Sequence, residues 1–130
     1  MHVEATVEKI KDYMDAYKEE MVQFLSEFIA IRSVTYEEGP AVEWYSGKLK
    51  EFGFDEVRVD AVGNCLGRVG HGNTVLLYDA HIDTVEPGDA AEWGFDPLQA
   101  RIEDGKVFGR GAGDDKACLT AFAFAGRGLR

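Results

Sequence analysis

The sequence predicts an α/β fold, because helical and strand patterns alternate along one domain-sized chain. Apolar residues recur every three or four positions from Val7 to Ile31, which is the pattern of an amphipathic helix. The continuous apolar run from Val75 to Tyr78 is typical of a strand buried on both faces. At 130 residues and 45% hydrophobic content, the chain has the size and the apolar side chains of a single domain.

The periodicity predicts three helices. The first covers Val7 to Ile31, and the second begins at Pro40 and ends before Gly53, residue types that favour the start and the stop of a helix. The third is the strongly apolar segment from Ala117 to Ala125.

Short strands fill the sequence between the second and third helices. The turn pair Gly63-Asn64 separates two strands, and Asp104-Gly105 joins two more as a hairpin. Between these pairs, Thr84 to Pro97 forms a long polar and aromatic loop. The predicted strands cover residues 57–62, 65–69, 74–80, 100–103 and 106–108. We expect residues 74–80 to form a central strand with helices packed on its faces.

The charge balance excludes several classes of partner. The chain has 24 acidic and 14 basic residues, a formal charge of −10 and no Lys/Arg cluster, which argues against binding nucleic acid or an anionic membrane. Its apolar runs are far shorter than the roughly 20 residues of a membrane span, and residues 1–11 lack a signal-peptide pattern. With no Cys-x-x-Cys pair, we expect a soluble cytoplasmic protein in which Cys65 and Cys118 are small buried side chains.

A candidate metal ligand lies where the apolar strand ends. His81 follows the run directly, and functional groups in open α/β sheets commonly lie at such strand ends. In an extended chain His81 and Asp83 project to the same side, so the carboxylate can fix the tautomer of the imidazole. By itself this spacing equally describes a histidine that only hydrogen-bonds a neighbouring carboxylate.

A second candidate site is the glycine-rich segment Gly109-Arg110-Gly111-Ala112-Gly113, which leads into Asp114-Asp115-Lys116. Glycines allow a sharp bend, and a carboxylate at the start of a helix stays ionised, as a metal ligand must. Asp114 could alternatively only cap the last helix. The residues alone leave open whether Asp114 or Asp115 would bind a metal.

These two motifs, together with Trp93-Gly94-Phe95-Asp96-Pro97, resemble a known family in order and spacing. The family is that of acetylornithine deacetylase, succinyl-diaminopimelate desuccinylase, aminoacylase and glutamate carboxypeptidase, which are zinc metallopeptidases and amidohydrolases. The resemblance implies that residues 1–130 are the N-terminal part of a three-layer zinc-exopeptidase catalytic domain, with a mixed sheet flanked by helices. Gly113, Asp115 and Ala117-Cys118 depart from the family pattern without removing a ligand.

The resemblance implies a role for each candidate residue. His81 corresponds to a zinc ligand, Asp114 to the carboxylate that bridges two zinc ions, and Asp83 to the catalytic-site carboxylate that orients the histidine. It implies two zinc ions in the full-length protein, with cobalt or manganese as substitutes, and hydrolysis of an amide or peptide bond. It also implies a cis peptide bond between Asp114 and Asp115.

The same resemblance implies that the site is incomplete in these residues. The family's general-base Glu, two further acidic ligands and a last His lie beyond the position that matches Arg130. We therefore expect a partial catalytic, metal-binding domain at 1–130 that lacks the dimerisation domain and the C-terminal half, and that is inactive alone. For the full-length protein we expect a homodimer that acts on small peptides or N-acyl amino acids.

Two other interpretations remain. The chain could be a non-catalytic remnant of the same fold. The glycines at 109, 111 and 113 could instead cradle a phosphate or nucleotide, although Asp114 and Asp115 would then repel the anion. Trp93 and Phe95 could line a substrate cleft or only pack their loop onto the core.

Overall fold

The helices form the frame of the fold. A computed structural model of the chain describes the backbone of residues 2–130 and the side chains of residues 6–89 and 91–130. The helices are α1 (His2–Ala30), α2 (Gly39–Glu51), the short α3 (Ala90–Trp93) and α4 (Ala117–Gly128). The predicted helices are confirmed as α1, α2 and α4, whereas α3 lies inside the segment predicted to be a loop. None of the described helices has the length and apolar character needed to cross a membrane.

The core lies where α1, α2 and α4 meet. The ring of Phe24 packs edge-on against Phe124, with 5.6 Å between centroids, and Phe28 stacks on Tyr45 at 5.5 Å. The Tyr45 hydroxyl donates a 2.7 Å hydrogen bond to the backbone oxygen of Leu119, so the one polar atom of this buried ring is satisfied. The core cluster consists of Phe24, Phe28, Ala41, Tyr45, Leu49, Leu119, Ala123 and Phe124.

Two antiparallel hairpins surround this helical core. The first pairs β1 (Glu56–Val59) with β2 (Cys65–Arg68), and the second pairs β3 (Arg101–Glu103) with β4 (Lys106–Phe108). In the second turn Asp104 and Gly105 have φ angles of 51° and 73°, as a two-residue hairpin turn requires. Both predicted hairpins are therefore confirmed, with slightly shorter strands.

The predicted central strand at residues 74–80 is wrong for the described structure. These residues form no ladder, and the side chains from Val75 to Tyr78 are 69–86% exposed. A strand forms only where a neighbouring backbone accepts its hydrogen bonds. Here the four described strands form two separate two-stranded sheets, and neither sheet includes residues 74–80. The expected mixed sheet is accordingly not assembled within the described residues.

A parallel contact nevertheless brings distant segments together at the end of this stretch. Val34, just after α1, forms a parallel bridge with Thr84, and the Thr84 amide donates a 2.8 Å hydrogen bond to the Ser33 oxygen. The Ser33 hydroxyl donates to the Ile82 oxygen at 2.9 Å. These bonds fix the residues that follow the apolar run against the C-terminal end of α1.

Candidate metal centre

An open cleft lies between the segment that follows the apolar run and the glycine-rich turn. Its volume is about 280 Å³. The cleft is lined by His81, Asp83, Thr84, Val85, Gly109, Arg110, Gly111, Ala112, Gly113 and Asp114. The two motifs singled out in the sequence therefore face each other across one cavity.

His81 contacts a carboxylate-bearing residue on each side of its ring. Its Nδ1 lies 3.0 Å from the backbone oxygen of Asp83 and 3.3 Å from the Asp83 Oδ1. Its Nε2 lies 2.9 Å from Oδ1 of Asp114. A backbone oxygen can only accept, so the bond to Asp83 places a proton on Nδ1 and leaves Nε2 as the nitrogen that faces Asp114. The contact with Asp114 raises the pKa of His81 above its ordinary value.

The two neighbouring aspartates at the turn have different surroundings. Asp114 has a 92% exposed side chain in the cleft, where it meets His81. Asp115 instead accepts a hydrogen bond from the Cys118 thiol, which raises the pKa of that thiol. The predicted cis peptide bond between Asp114 and Asp115 is present. Of the two carboxylates, the one at Asp114 is therefore the one next to the histidine.

Glycine is required at two positions of the turn because the backbone approaches other segments closely. Gly111 has a φ of 76°, and a Cβ added there would lie 2.6 Å from Cγ2 of Thr84. A Cβ on Gly109 would lie 2.8 Å from Cγ2 of Ile29, in α1. The glycines thus allow the turn to press against both α1 and the segment that carries His81.

Lys116 anchors the other end of the turn. Its side chain is 1% exposed, and its ammonium group donates to the backbone oxygens of Phe28 at 2.8 Å and Ile31 at 2.6 Å. These carbonyls lie at the C-terminal end of α1, where intrahelical donors run out and positive charge is favoured. Burial lowers the pKa of Lys116 to about 8.

Trp93 and Phe95 pack their loop rather than line the cleft. Trp93 donates a 2.9 Å hydrogen bond from its ring nitrogen to the Pro87 oxygen, and its ring is 5.7 Å from that of Phe95 in an edge-on arrangement. The Arg110 guanidinium lies 5.1 Å from the Trp93 centroid and also donates to the Pro87 oxygen at 3.2 Å. The loop is therefore tied to the glycine-rich turn, and neither ring is among the residues that border the cleft.

The His81 and Asp114 pair fits one part of a zinc site. Two atoms bound to the same zinc ion at about 2.0–2.2 Å can lie at most about 4.4 Å apart. Nε2 of His81 and Oδ1 of Asp114 are 2.9 Å apart, within that limit. Imidazole nitrogen and carboxylate oxygen are both common zinc ligands. Within the part of the chain that is described, no three His, Cys, Asp or Glu side chains converge on one point. A complete site would need further ligands.

Several site features were missed or misjudged from the sequence. Thr35 donates a 2.6 Å hydrogen bond to Oδ2 of Asp83, and Lys116 holds the turn, yet neither residue was identified. Each contact joins residues far apart in the chain, which leaves no local sequence signal. The prediction that both thiols are buried was wrong, since Cys118 is exposed in α4 and Cys65 is half-buried in β2. Both thiols are free.

Known proteins are similar to this chain in sequence. The family model described as Peptidase family M20/M25/M40 matches residues 77–130, which carry His81, Asp83 and Asp114. The protein called "Uncharacterized protein YgeY" of Escherichia coli (strain K12) is 36% identical over 121 residues, covering 93% of this chain and 29% of that protein. A succinyl-diaminopimelate desuccinylase of Methylocella silvestris is 38% identical over 112 residues, covering 80% of this chain and 29% of the relative.

A solved structure extends the similarity to the fold. Human carnosine dipeptidase 1 superposes with a TM-score of 0.70 and 25% sequence identity, covering 94% of this chain and 30% of that one. The predicted α/β class is thus confirmed as part of the fold of a larger catalytic domain. The chain spans less than a third of the length of each of these relatives.

Proposed function

Because the chain belongs to peptidase family M20/M25/M40, we propose that residues 1–130 are part of the catalytic domain of a zinc-dependent hydrolase of amide or peptide bonds. In this proposal His81 and Asp114 would hold zinc, Asp114 would be the ligand shared by two ions, and Asp83 would orient His81. The enzyme is of the deacylase, carboxypeptidase or dipeptidase type. Its substrates are small peptides or N-acyl amino acids, in line with the names of a desuccinylase and a dipeptidase among the relatives.

One observation carries the proposal. His81 and Asp114 are 33 positions apart in the chain, yet Nε2 and Oδ1 approach to 2.9 Å inside a cleft. The other ring nitrogen of His81 contacts the backbone oxygen of Asp83, so Nε2 is the nitrogen that would bind a metal once its proton is displaced.

The described residues contribute binding and orientation to the reaction. When bound, zinc lowers the pKa of a coordinated water and polarises the carbonyl group of the substrate. Asp83 holds the His81 ring in one tautomer and one orientation, and Asp114 supplies a carboxylate that faces the same point. Val85 and the backbone of the glycine-rich turn form the walls against which a small substrate would lie.

The remaining parts of the site belong to residues outside this chain in our proposal. A general base and the other ligands are needed, because the described residues offer only two converging metal-binding groups. We propose that the longer polypeptide supplies them and that it forms a homodimer. The two free thiols agree with a reducing, cytoplasmic compartment, which is part of the proposal.

The test compares the 130-residue chain with the gene product from its native source. Both are assayed against a panel of N-acyl amino acids and dipeptides, with zinc and after chelation. We expect zinc-dependent hydrolysis by a gene product longer than 130 residues, and loss of that hydrolysis in His81→Ala. His71→Ala, which changes an exposed histidine that does not border the cleft, is the matched control and retains activity.

Two outcomes would contradict the proposal. Turnover by the 130-residue chain itself that depends on zinc and on Asp83 would show that these residues need no further general base. A native product of 130 residues that neither binds zinc nor hydrolyses any substrate of the panel would favour the remnant interpretation.

A further inference from the structure

The loop that follows α1 forms a tight turn beside the proposed metal centre. The Glu37 amide donates a 2.7 Å hydrogen bond to the Val34 oxygen, which closes a β-turn over residues 34–37. Tyr36 occupies the third position with a φ of 73°, where type II turns normally carry glycine. Its side chain is 96% exposed and points away from the core. The turn therefore keeps an unfavourable backbone conformation without any packing gain from Tyr36.

What this turn positions is Thr35. Its hydroxyl donates a 2.6 Å hydrogen bond to Oδ2 of Asp83, across 48 positions of sequence. The other carboxylate oxygen of Asp83, Oδ1, lies 3.3 Å from Nδ1 of His81. The two oxygens of this carboxylate are thus divided between Thr35 and His81.

The turn is held rigidly against the segment that carries Asp83. Ser33 is fully buried, its hydroxyl donates to the Ile82 oxygen, and its own carbonyl oxygen accepts from the Thr84 amide. Arg32 forms ion pairs with both Glu37 and Glu86, which lie on either side of this junction. The distance between the Thr35 backbone and Asp83 is therefore fixed by contacts that do not involve the Thr35 hydroxyl.

We propose that Thr35 is a positioning residue for the metal ligand His81 and acts through Asp83. The terminal torsion of an aspartate side chain has a broad, shallow energy profile, so the carboxylate plane needs a second hydrogen bond to stay in place. Thr35 supplies that bond on Oδ2 and keeps Oδ1 beside Nδ1 of His81. This inference rests on the proposed metal-binding role of His81 and extends it to a residue of the first loop.

The experiment measures the zinc affinity of the complete gene product, called the original chain below, by competition with a chromophoric chelator, with Zn²⁺ alone as ligand. Thr35→Val removes the hydroxyl at nearly constant shape, and Thr35→Ser restores it. Loss of a hydrogen-bond partner of a metal ligand typically weakens metal binding 10–100-fold, so for this more distant contact we expect about threefold to tenfold weakening in Thr35→Val. Thr35→Ser should lie within about twofold of the original chain. Tyr36→Gly, which suits the positive φ and keeps Thr35, is the neighbouring control.

A double-mutant cycle separates positioning from a general structural effect. If Thr35 acts through Asp83, Thr35→Val should weaken zinc binding in the original chain and have no further effect in an Asp83→Ala background. The ¹⁵N resonances of the His81 ring in the zinc-loaded chain should show a protonated Nδ1 in the original chain and in Thr35→Ser. In Thr35→Val the Nδ1 proton should exchange faster with water.

The outcomes distinguish this inference from the proposed function. Equal zinc affinity of the original chain and His81→Ala would overturn the metal site itself. Zinc binding that depends on His81 but is unchanged in Thr35→Val would overturn only the role of Thr35. Failure of Thr35→Ser to restore affinity, or additive effects of Thr35→Val and Asp83→Ala, would also overturn it.

Discussion

Single side chains that bridge distant segments determine the position of the cleft. Lys116 joins the end of the glycine-rich turn to the last carbonyls of α1, and its ammonium group also lies 4.9 Å from the ring centroid of Phe28. It is the one charged residue among the buried side chains of the described part of the chain. Without its donors, the oxygens of Phe28 and Ile31 would lose a partner in a water-poor environment.

We predict that Lys116→Met destabilises the fold by about 1–3 kcal/mol, because the Ile31 oxygen loses the donor Lys116 and the Phe28 oxygen keeps only the Ile31 amide. Methionine nearly keeps the length and the apolar stem of the lysine side chain, so loss of packing contributes little. Chemical denaturation monitored by circular dichroism measures the change. Lys48→Met is the matched control: its ion pair with Glu51 lies at the surface, so the change should stay below about 1 kcal/mol. Equal effects of the two variants would show that the buried hydrogen bonds do not matter.

Contacts between side chains that lie close together in the chain could be predicted from the sequence. Contacts between side chains that are far apart in the chain could not. His81 and Asp83 are two positions apart, and in the structure the Asp83 carboxylate lies beside Nδ1 of the histidine, as predicted, although the Asp83 backbone oxygen, which was not predicted to take part, is closer. The Asp114 prediction depended on family resemblance, because its approach to His81 spans 33 positions. No pattern in the chain indicates which hydroxyl or ammonium group completes such a cluster, so Thr35 could not be found from sequence.

Short elements stabilised by their own turns follow the local sequence closely. In the first hairpin, Oδ1 of Asp60 accepts hydrogen bonds from the amides of Val62 at 3.0 Å and Asn64 at 2.9 Å. Oδ2 accepts from the Asn64 side chain at 2.9 Å. The side-chain bond from Asn64 is the largest of the effects that lower the pKa of Asp60 below its ordinary value of 3.8. This aspartate therefore organises the turn in its ionised form.

We predict that the hairpin turn weakens in acid. Because the pKa of Asp60 is lower in the folded chain than in the unfolded chain, its stabilising effect is present above the unfolded value near 3.8 and is lost as the pH falls through the folded value. A ¹³C titration of the Asp60 carboxyl should give a midpoint below 3.8. The midpoint should rise toward that value in Asn64→Ala and stay unchanged in Asn73→Ala, which changes an exposed asparagine elsewhere in the chain. An unaltered midpoint in Asn64→Ala would contradict this assignment.

Elements that need partners from elsewhere in the chain were harder to predict. The Gly63-Asn64 and Asp104-Gly105 turns specify their hairpins locally, and both hairpins form. The run from Val75 to Tyr78 has the composition of a buried strand, but composition cannot supply a neighbouring strand. Its predicted burial is wrong, because no described sheet includes these residues and their side chains are exposed.

The molecule as a whole combines a well-packed helical core with a large exposed apolar segment. Leu76 and Leu77 are 76% and 86% exposed, next to Val75 and Tyr78, which are also exposed. Contiguous apolar patches of this kind mark surfaces that other polypeptide covers. The chain spans less than a third of the length of its relatives. We therefore expect the longer polypeptide of our proposal to pack on this exposed apolar segment.

We predict that Leu77→Gln leaves the stability of the 130-residue chain within about 0.5 kcal/mol, as for other exposed positions, and reduces its concentration-dependent association. Denaturation and sedimentation equilibrium measure the two effects. Leu49→Gln is the contrasting variant: Leu49 is 3% exposed in the core, so the loss should be about 2–5 kcal/mol. A large loss of stability in Leu77→Gln would show that residues 74–80 are buried in the isolated chain.

At the scale of the whole chain, resemblance and composition predicted the fold class, while the arrangement of the sheet required the structure. Neither motif is specific alone, but their combination, order and spacing led to the family that the relatives also indicate. Periodicity within the 130 residues predicts single elements and not how sheets and helices are layered.

In our proposal His81 and Asp114 bind a metal ion together. The zinc content of matched variants measures this. Because the other ligands of our proposal lie outside these residues, elemental analysis after dialysis against limiting zinc would be made on the complete gene product and on its His81→Ala, Asp114→Asn and Asp115→Asn variants. We predict zinc bound by the original product and by Asp115→Asn, and reduced in both His81→Ala and Asp114→Asn. Zinc retained in Asp114→Asn but reduced in Asp115→Asn, or equal zinc in all four proteins, would disprove that His81 and Asp114 bind it.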